Sequence, residues 1–167
     1  MKRYTIKRLL FLDRGRIYKV TDEGGHDIYR IYEPPITAAI NGFFKNIFYI
    51  GGRLTIENAY REKVGTIQLE RGLLSRRFRI KIGHEEWKAI GDWKRCKMQI
   101  QGAAESYNIE GDLMGRHFKM EGNYGQYGVL NRQAMKLCET YELEILYDEI
   151  ELLAIAQAIV VDYSYSN

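Results

Sequence analysis

The sequence predicts a mainly β protein in which a closed antiparallel β-barrel of two similar halves surrounds a central apolar C-terminal α-helix. Three observations support this prediction: short segments of alternating apolar and polar residues, an internal repeat at a spacing of 63 residues, and an apolar run near the end of the chain. At 167 residues and 46% hydrophobic content, the chain is long enough to bury one core. We therefore expect residues 1–167 to form a single domain.

Alternation is the signal for the strands. A period of two places one face of each strand in the core and the other toward solvent. Turn residues, mainly Gly, Asn and Asp, separate these segments at the spacing of hairpins. The alternating segments are RIYKV (16–20), DIYRIY (27–32), RLTIE (53–57), GTIQL (65–69), FRIKI (78–82), KMQIQ (97–101), YNIEG (107–111), HFKME (117–121) and YELEIL (141–146).

An internal repeat indicates two similar halves. The segment GTIQLERGLLSRRFRIKI (65–82) aligns without a gap on GVLNRQAMKLCETYELEI (128–145). Gly65 then matches Gly128, and Ile80 matches Leu143. Two amphipathic strands match in alternation by chance, but the apolar phase is kept here through an intervening polar stretch, which favours duplication. Two such halves are expected to form one sheet that closes on itself and leaves no free edge.

The run ELLAIAQAIVVDY (151–163) is predicted to be a helix. Its uncharged part, residues 152–161, would span about 15 Å as a helix, against roughly 30 Å for the hydrocarbon core of a bilayer. Alanine and glutamine at its centre favour helix over strand. Apart from Gln157 the run is apolar on every face, so protein must surround it. The predicted position is inside the barrel, and the alternative is one face of an open sheet.

The segments GRIYKVTDEGG, LTIENAYREKVGTI, FRIKI, YNIEGDLMGRHFKM and ELLAIAQAIVVDY together resemble the LURP-one-related family, which shares its fold with the Tubby C-terminal domain and the phospholipid scramblases. The resemblance covers nearly the whole chain and contains no catalytic motif. It implies a twelve-stranded barrel around a central C-terminal helix. Because Tubby-like members bind phosphoinositides and scramblase-like members act at membranes, it also implies anionic lipid as the ligand class.

Residues 34–50 depart from this pattern and are interpreted as an insertion. The stretch contains both prolines of the chain, Pro34 and Pro35, followed by apolar residues at helical spacing. A short helix that plugs one end of the barrel is one interpretation. An exposed contact with a membrane or a protein partner, made by Phe43, Phe44 and Phe48, is another. An extended strand pair is the third.

The charge distribution suggests a candidate binding surface. Residues 139–167 contain seven acids and no Lys or Arg, whereas residues 1–138 contain 25 bases and 15 acids. The basic residues are densest between Arg71 and Lys97. Within that stretch, strict alternation puts Arg77, Arg79 and Lys81 on the face opposite Phe78, Ile80 and Ile82. The candidate lipid or phosphate site is Arg76, Arg77, Arg79 and Lys81, and the alternative is an ordinary solvated face.

Signatures of catalysis, metal binding and cofactor binding are missing from the sequence. His84-Glu85-Glu86-Trp87-Lys88 begins like a zinc-protease motif, but Lys88 stands where the second histidine is needed. We therefore expect a protein that is not an enzyme and has no metal or cofactor. Cys96 and Cys138 lack the CxxC spacing, and no secretory leader or transmembrane segment is recognised, so a cytoplasmic protein is expected, with a peripheral position at the membrane as an alternative.

Three functions remain open at this point. The first is binding of anionic phospholipid headgroups through the basic strand. The second is protein–protein interaction through the apolar residues 36–50. The third and least favoured is nucleic-acid binding, in which Trp87, Trp93 or a tyrosine would stack on bases beside the same strand. Lipid and nucleic acid are distinguished by their relative binding at matched ionic strength.

Overall fold

The computed structural model describes residues 1–11, 15–34, 52–70, 77–92, 95–112, 114–134 and 139–165. Within these ranges the chain forms twelve strands, a short 3-10 helix (Asp148–Ile150) and one α-helix, α1 (Glu151–Tyr165). The strands are β1 (Lys2–Phe11), β2 (Gly15–Thr21), β3 (Asp27–Tyr32), β4 (Arg53–Asn58), β5 (Lys63–Glu70), β6 (Arg77–Ile82), β7 (Glu85–Asp92), β8 (Lys97–Gln101), β9 (Ser106–Gly111), β10 (His117–Gly122), β11 (Gly125–Ala134) and β12 (Glu139–Ile145).

The strands form a closed antiparallel barrel. Each strand pairs with its neighbours in sequence, and β1 pairs with β12 to complete the ring. The closing register sets Tyr4 opposite Leu143 and Ile6 opposite Tyr141, and all four side chains are buried. Closure gives each of the twelve described strands two hydrogen-bonded neighbours, so none of them is left as an edge for pairing with another chain. The predicted mainly β barrel is confirmed.

The two halves of the barrel repeat the same register. Gly65 of β5 pairs with Ile82 of β6, and Gly128 of β11 pairs with Ile145 of β12. These partners are the ones that the 63-residue repeat aligns. In both places a Cβ on the glycine would lie within 3 Å of a carbonyl oxygen of the neighbouring strand. The sequence similarity therefore corresponds to a repeated packing requirement, the close approach of two strands.

Helix α1 fills the barrel, as predicted. All residues from Leu153 to Ser164 are buried. Tyr163 packs edge-to-face on Phe78 of β6, with the ring centroids 6.1 Å apart, whereas Asp162 binds Tyr141 of β12, on the opposite side of the ring. Because the helix contacts both sides of the ring, it runs through the centre. The small side chains of Ala154, Ala156 and Ala158 allow the surrounding strands to pack closely against the helix.

A buried polar cluster fixes the C-terminal part of α1. The Asp162 carboxylate accepts hydrogen bonds from the hydroxyls of Tyr18 and Tyr141, each at 2.6 Å, and from Arg8 at 3.1 and 3.3 Å. Arg8 also forms an ion pair with Glu139 at 2.7 Å. These partners come from β1, β2 and β12, so the carboxylate joins the helix to three adjacent strands.

The N-terminal end of α1 is held by a second set of contacts. The Glu151 carboxylate accepts a hydrogen bond from the Tyr29 hydroxyl at 3.1 Å and pairs with Lys2 at 3.3 Å. Lys2 also pairs with Asp148 at 3.1 Å. These acids lie at the helix start, where the helix dipole favours negative charge. The helix is therefore anchored by hydrogen bonds at both ends.

Candidate functional site

The predicted basic strand is β6, which is part of the barrel wall. Its residues alternate as expected: Phe78 and Ile80 are buried, whereas Arg77 and Lys81 are exposed and Arg79 is half-buried. Arg77, Arg79 and Lys81 therefore share the outward face. Arg76, the fourth predicted residue, lies outside the described residues.

Two of the three described cations on β6 are matched by acids. Arg79 forms ion pairs with Glu70 of β5 and, at 3.4 Å, with Glu86 of β7. The Lys81 Nζ atom lies 3.0 Å from the Glu86 carboxylate. The hydrogen bond from Lys81 lowers the pKa of Glu86, so that carboxyl stays ionised and keeps opposing the basic charge. This part of the strand is consequently less positive than its sequence indicates.

The remaining positive charge is centred on Arg77 and Lys88. Within the described residues neither side chain forms an ion pair, and both are exposed. Between them on the same face is Ile90, which is directly opposite Arg77 and keeps 43% of its surface exposed. Its partner on the other side is the uncharged Gln99. We call Arg77, Lys88 and Ile90 the basic patch; Lys88 and Ile90 were not among the predicted site residues.

A comparable row of cations lies on the far side of the barrel. Lys7, Lys19 and Arg30 occupy successive paired positions on β1, β2 and β3. Lys19 pairs with Asp27 at 2.9 Å, and the Arg30 guanidinium lies 5.4 Å from the centre of the Tyr32 ring. We call this group the opposite row. It gives a matched reference for the basic patch, because β1 is six strands away from β7 in the ring.

The tryptophan that was predicted as a stacking platform does not have the required exposure. Trp87 of β7 points into the barrel, is only 7% exposed and belongs to the core. A buried ring has no free face for a nucleobase, so that part of the nucleic-acid hypothesis was wrong. Trp93, the other candidate, lies outside the described residues.

The predicted membrane or partner contact also lies outside the described residues. Phe43, Phe44 and Phe48 belong to the connection between β3 and β4, which comprises residues 33–52. The equivalent connection of the second half, between β9 and β10, comprises only residues 112–116. The difference in length agrees with an insertion in the first half.

The described residues contain no group of three or more His, Cys, Asp or Glu side chains that could hold a metal ion. Two buried polar groups of the helix bind the wall: Asp162 has its tyrosine and arginine donors, and Gln157 accepts a hydrogen bond from the Tyr127 hydroxyl. Burial, together with the Asp162 carboxylate, raises the pKa of Tyr141, which keeps this hydroxyl a donor. This arrangement holds the structure together.

No helix in the described ranges combines the length and the apolar character needed to traverse a bilayer.

Comparison with known proteins gives one finding, at the level of the fold. No protein-family model matches the chain, and no curated protein sequence matches it significantly. Among solved structures, the chain is similar to the X-ray structure of the Arabidopsis thaliana protein AT5G01750, with a TM-score of 0.56 and 11% sequence identity. The similarity covers 96% of this chain and 91% of the plant protein. At this identity the comparison shows a shared barrel fold, extending over almost the whole of both chains.

Proposed function

We propose that this chain is a non-enzymatic, LURP-one-related domain of the cytoplasm that binds anionic phospholipid at a membrane surface through the basic patch. The observation that carries the proposal is the pair of exposed cations, Arg77 and Lys88, without a carboxylate partner among the described residues. Guanidinium and ammonium groups bind lipid phosphates by charge-assisted hydrogen bonds. The anionic surface of a cytoplasmic leaflet attracts such groups.

The third member of the patch supports a membrane rather than a soluble polyanion. Ile90 is exposed between the two cations, where an apolar side chain has no electrostatic role. At a bilayer surface it would reach the boundary between headgroups and acyl chains while the cations contact phosphate. Arg79 and Lys81 remain beside the patch, with Glu70 and Glu86 as partners, and contribute less because their charges are already balanced.

Liposome flotation tests the proposal. Vesicles of phosphatidylcholine are compared with vesicles that also contain phosphatidylserine, at low and at high salt. The expected result is a gain in bound protein when the anionic lipid is added, and loss of that gain at high salt. Each basic residue near such a surface contributes about 1 kcal/mol, so Arg77→Gln/Lys88→Gln should weaken the partition about 30-fold.

The matched control is Lys7→Gln/Lys19→Gln in the opposite row, which removes the same net charge from the other side of the barrel. It should bind nearly as well as the unchanged protein. If both variants lost vesicle binding equally, the net charge of the protein and not the basic patch would account for binding to anionic vesicles. No flotation with any vesicle would refute the lipid proposal and direct attention to a protein partner of residues 36–50.

An oligonucleotide competitor at the same ionic strength separates lipid from nucleic acid. The proposal predicts that single-stranded DNA at equal phosphate concentration displaces little of the bound protein. Complete displacement would favour nucleic acid, since counterion release drives nonspecific binding to such strands.

A further inference from the structure

A cavity of about 290 Å³ opens at one end of the barrel, and its described lining residues include none of the basic patch. It lies where the β8–β9 and β10–β11 turns meet the segment that leads from β12 into α1. Ligand pockets range from roughly 300 to 1,000 Å³, so this one is the size of a small group and not of an extended ligand. Tyrosine is the most frequent of its described lining residues.

Two tyrosines form the rigid inner wall. The rings of Tyr107 and Tyr127 pack edge-to-face, with centroids 5.3 Å apart and an interplanar angle of 77°. The Tyr107 hydroxyl donates to Glu105, and the Tyr127 hydroxyl donates to Gln157 of α1. Tyr107 is only 6% exposed and Tyr127 only 3%, and both hydroxyls are already bonded inside the protein, so this wall contributes apolar lining and neither an open ring face nor a free hydrogen-bonding group.

Two further tyrosines stand at the rim. Tyr124 is 94% exposed and Tyr147 is 50% exposed, and both line the cavity. An exposed aromatic ring gains little from its own protein, whereas it gains from a ligand that brings a positive charge over its face. The open aromatic surface of the cavity therefore comes from Tyr124 and Tyr147, and the buried Tyr107 and Tyr127 complete its lining.

The charge of the cavity is negative. Glu105 and Glu149 line it, and no Lys, Arg or His is among its described lining residues. Within the described residues neither carboxylate forms an ion pair, although Lys2, on β1, pairs with the adjacent acids Asp148 and Glu151. The cavity therefore combines aromatic rings with two carboxylates whose charge is not balanced there.

We propose that this cavity binds a quaternary ammonium group, such as the trimethylammonium group of choline. A quaternary cation needs no hydrogen-bond acceptor, and it is attracted both by tyrosine faces and by nearby carboxylates. A primary ammonium group fits less well, because it carries three donors and Glu105 already accepts from Tyr107. A metal ion fits poorly, since the cavity provides two carboxylates and otherwise mostly aromatic surface.

Titration of the protein with choline and with tetramethylammonium tests this inference. Binding is followed by calorimetry and by the proton NMR signal of the methyl groups, which moves upfield when they lie over aromatic rings. The neutral carbon isostere 3,3-dimethylbutan-1-ol has the shape of choline without the charge. The inference predicts that both cations bind and that the isostere binds at least tenfold more weakly.

Variants at the rim separate the cavity from nonspecific effects. Tyr124→Leu/Tyr147→Leu keeps apolar surface and removes two rings from exposed positions, so the fold is retained and affinity should fall about 5- to 30-fold. Glu149→Gln should lower it several-fold. Tyr60→Leu is the matched control, because Tyr60 is 85% exposed and lies outside the cavity; it should leave affinity unchanged.

Three results would overturn the inference: no binding of either cation at millimolar concentration, equal binding of the neutral isostere, or affinity unaffected by the rim variants. Two arms identify the source of the group. Phosphatidylcholine vesicles whose bound protein is released by free choline would indicate a lipid headgroup. Binding of free choline without binding to those vesicles would indicate a soluble ligand. This test is independent of the basic patch, since Arg77→Gln/Lys88→Gln should leave choline binding intact.

Discussion

Removal of the Asp162 charge tests the contact between helix and barrel, because this carboxylate joins α1 to three adjacent strands. Asp162→Asn keeps the size of the side chain and removes the negative charge that Tyr18, Tyr141 and Arg8 share inside the barrel. Loss of one partner from a buried ion pair costs about 3–5 kcal/mol, mainly because the other charge is left buried. Here Arg8 keeps its contact with Glu139 at 2.7 Å, which places the expected cost near the lower limit, at about 3 kcal/mol.

Equilibrium unfolding in urea, followed by circular dichroism, measures this cost. The comparison is Asp27→Asn, the same chemical change at an exposed carboxylate that pairs with Lys19; it should cost less than about 1 kcal/mol. Tyr18→Phe should cost about 1.5–3 kcal/mol in the unchanged protein, as expected for a hydrogen bond to a charged group. In the Asp162→Asn background the same change should cost clearly less, because the two residues are coupled.

Tolerance of Asp162→Asn equal to that of Asp27→Asn would contradict this role of the Asp162 carboxylate. Additive effects of Asp162→Asn and Tyr18→Phe would contradict it as well. Either result would mean that the buried carboxylate is not what joins α1 to the surrounding strands. The denaturant dependence of unfolding should stay the same in all variants, since their folded states bury the same surface.

Two further predictions concern the barrel wall and its pH dependence. Gly65→Ala and Gly128→Ala should each destabilise by about 1–3 kcal/mol and by similar amounts, because the new Cβ would lie 2.8 Å from the Lys81 carbonyl oxygen in the first case and 2.9 Å from the Glu144 carbonyl oxygen in the second; thermal unfolding checks this, and full tolerance at either position would contradict the repeated packing. Burial, with the Glu151 carboxylate, raises the pKa of Tyr29 to about 12, so its contribution is complete below the unfolded pKa of about 10 and is lost as pH rises from there through 12. Unfolding in urea at a series of alkaline pH values should show this fall, with a smaller fall in Tyr29→Phe; an equal fall in both proteins would refute the role of Tyr29.

Much of the fold could be predicted from the sequence, because alternation reports which residues face a core. Eight of the nine predicted segments lie wholly within strands, the ninth, 141–146, extends one residue past the end of β12, and the apolar run is a helix. Strands β1, β7 and β11 had no alternating segment of their own, and β11 was reached only through the repeat that aligns it with β5. On β1 and β7 the inward positions are not all conventionally apolar. Arg8 points inward on β1 to meet Asp162. On β7 the inward positions include Ala89 and Gly91, whereas Ile90 faces outward.

Less of the candidate sites could be predicted, because they depend on register and on contacts distant in sequence. The outward direction of Arg77, Arg79 and Lys81 follows from alternation. The pairing of two of them with Glu70 and Glu86 requires the β5–β6 and β6–β7 registers, which alternation does not provide.

The tyrosine cavity was not predicted at all. Its residues come from two hairpin turns and from the start of the helical segment, which only the closed barrel brings together. A weak signal was present in the sequence: Tyr124 stands between Asn123 and Gly125 in a turn, where a large ring cannot be buried easily.

The most direct test of the account is an environment-sensitive fluorophore placed at position 90. In a chain whose Cys96 and Cys138 are replaced by serine, Ile90→Cys carries the label in the basic patch, and Lys7→Cys carries it on the opposite side. We predict that vesicles containing phosphatidylserine shift the emission of the label at position 90 to the blue and leave the label at position 7 unchanged. An equal shift at both positions, or no shift at position 90, would contradict the claim that the basic patch is the membrane-binding surface.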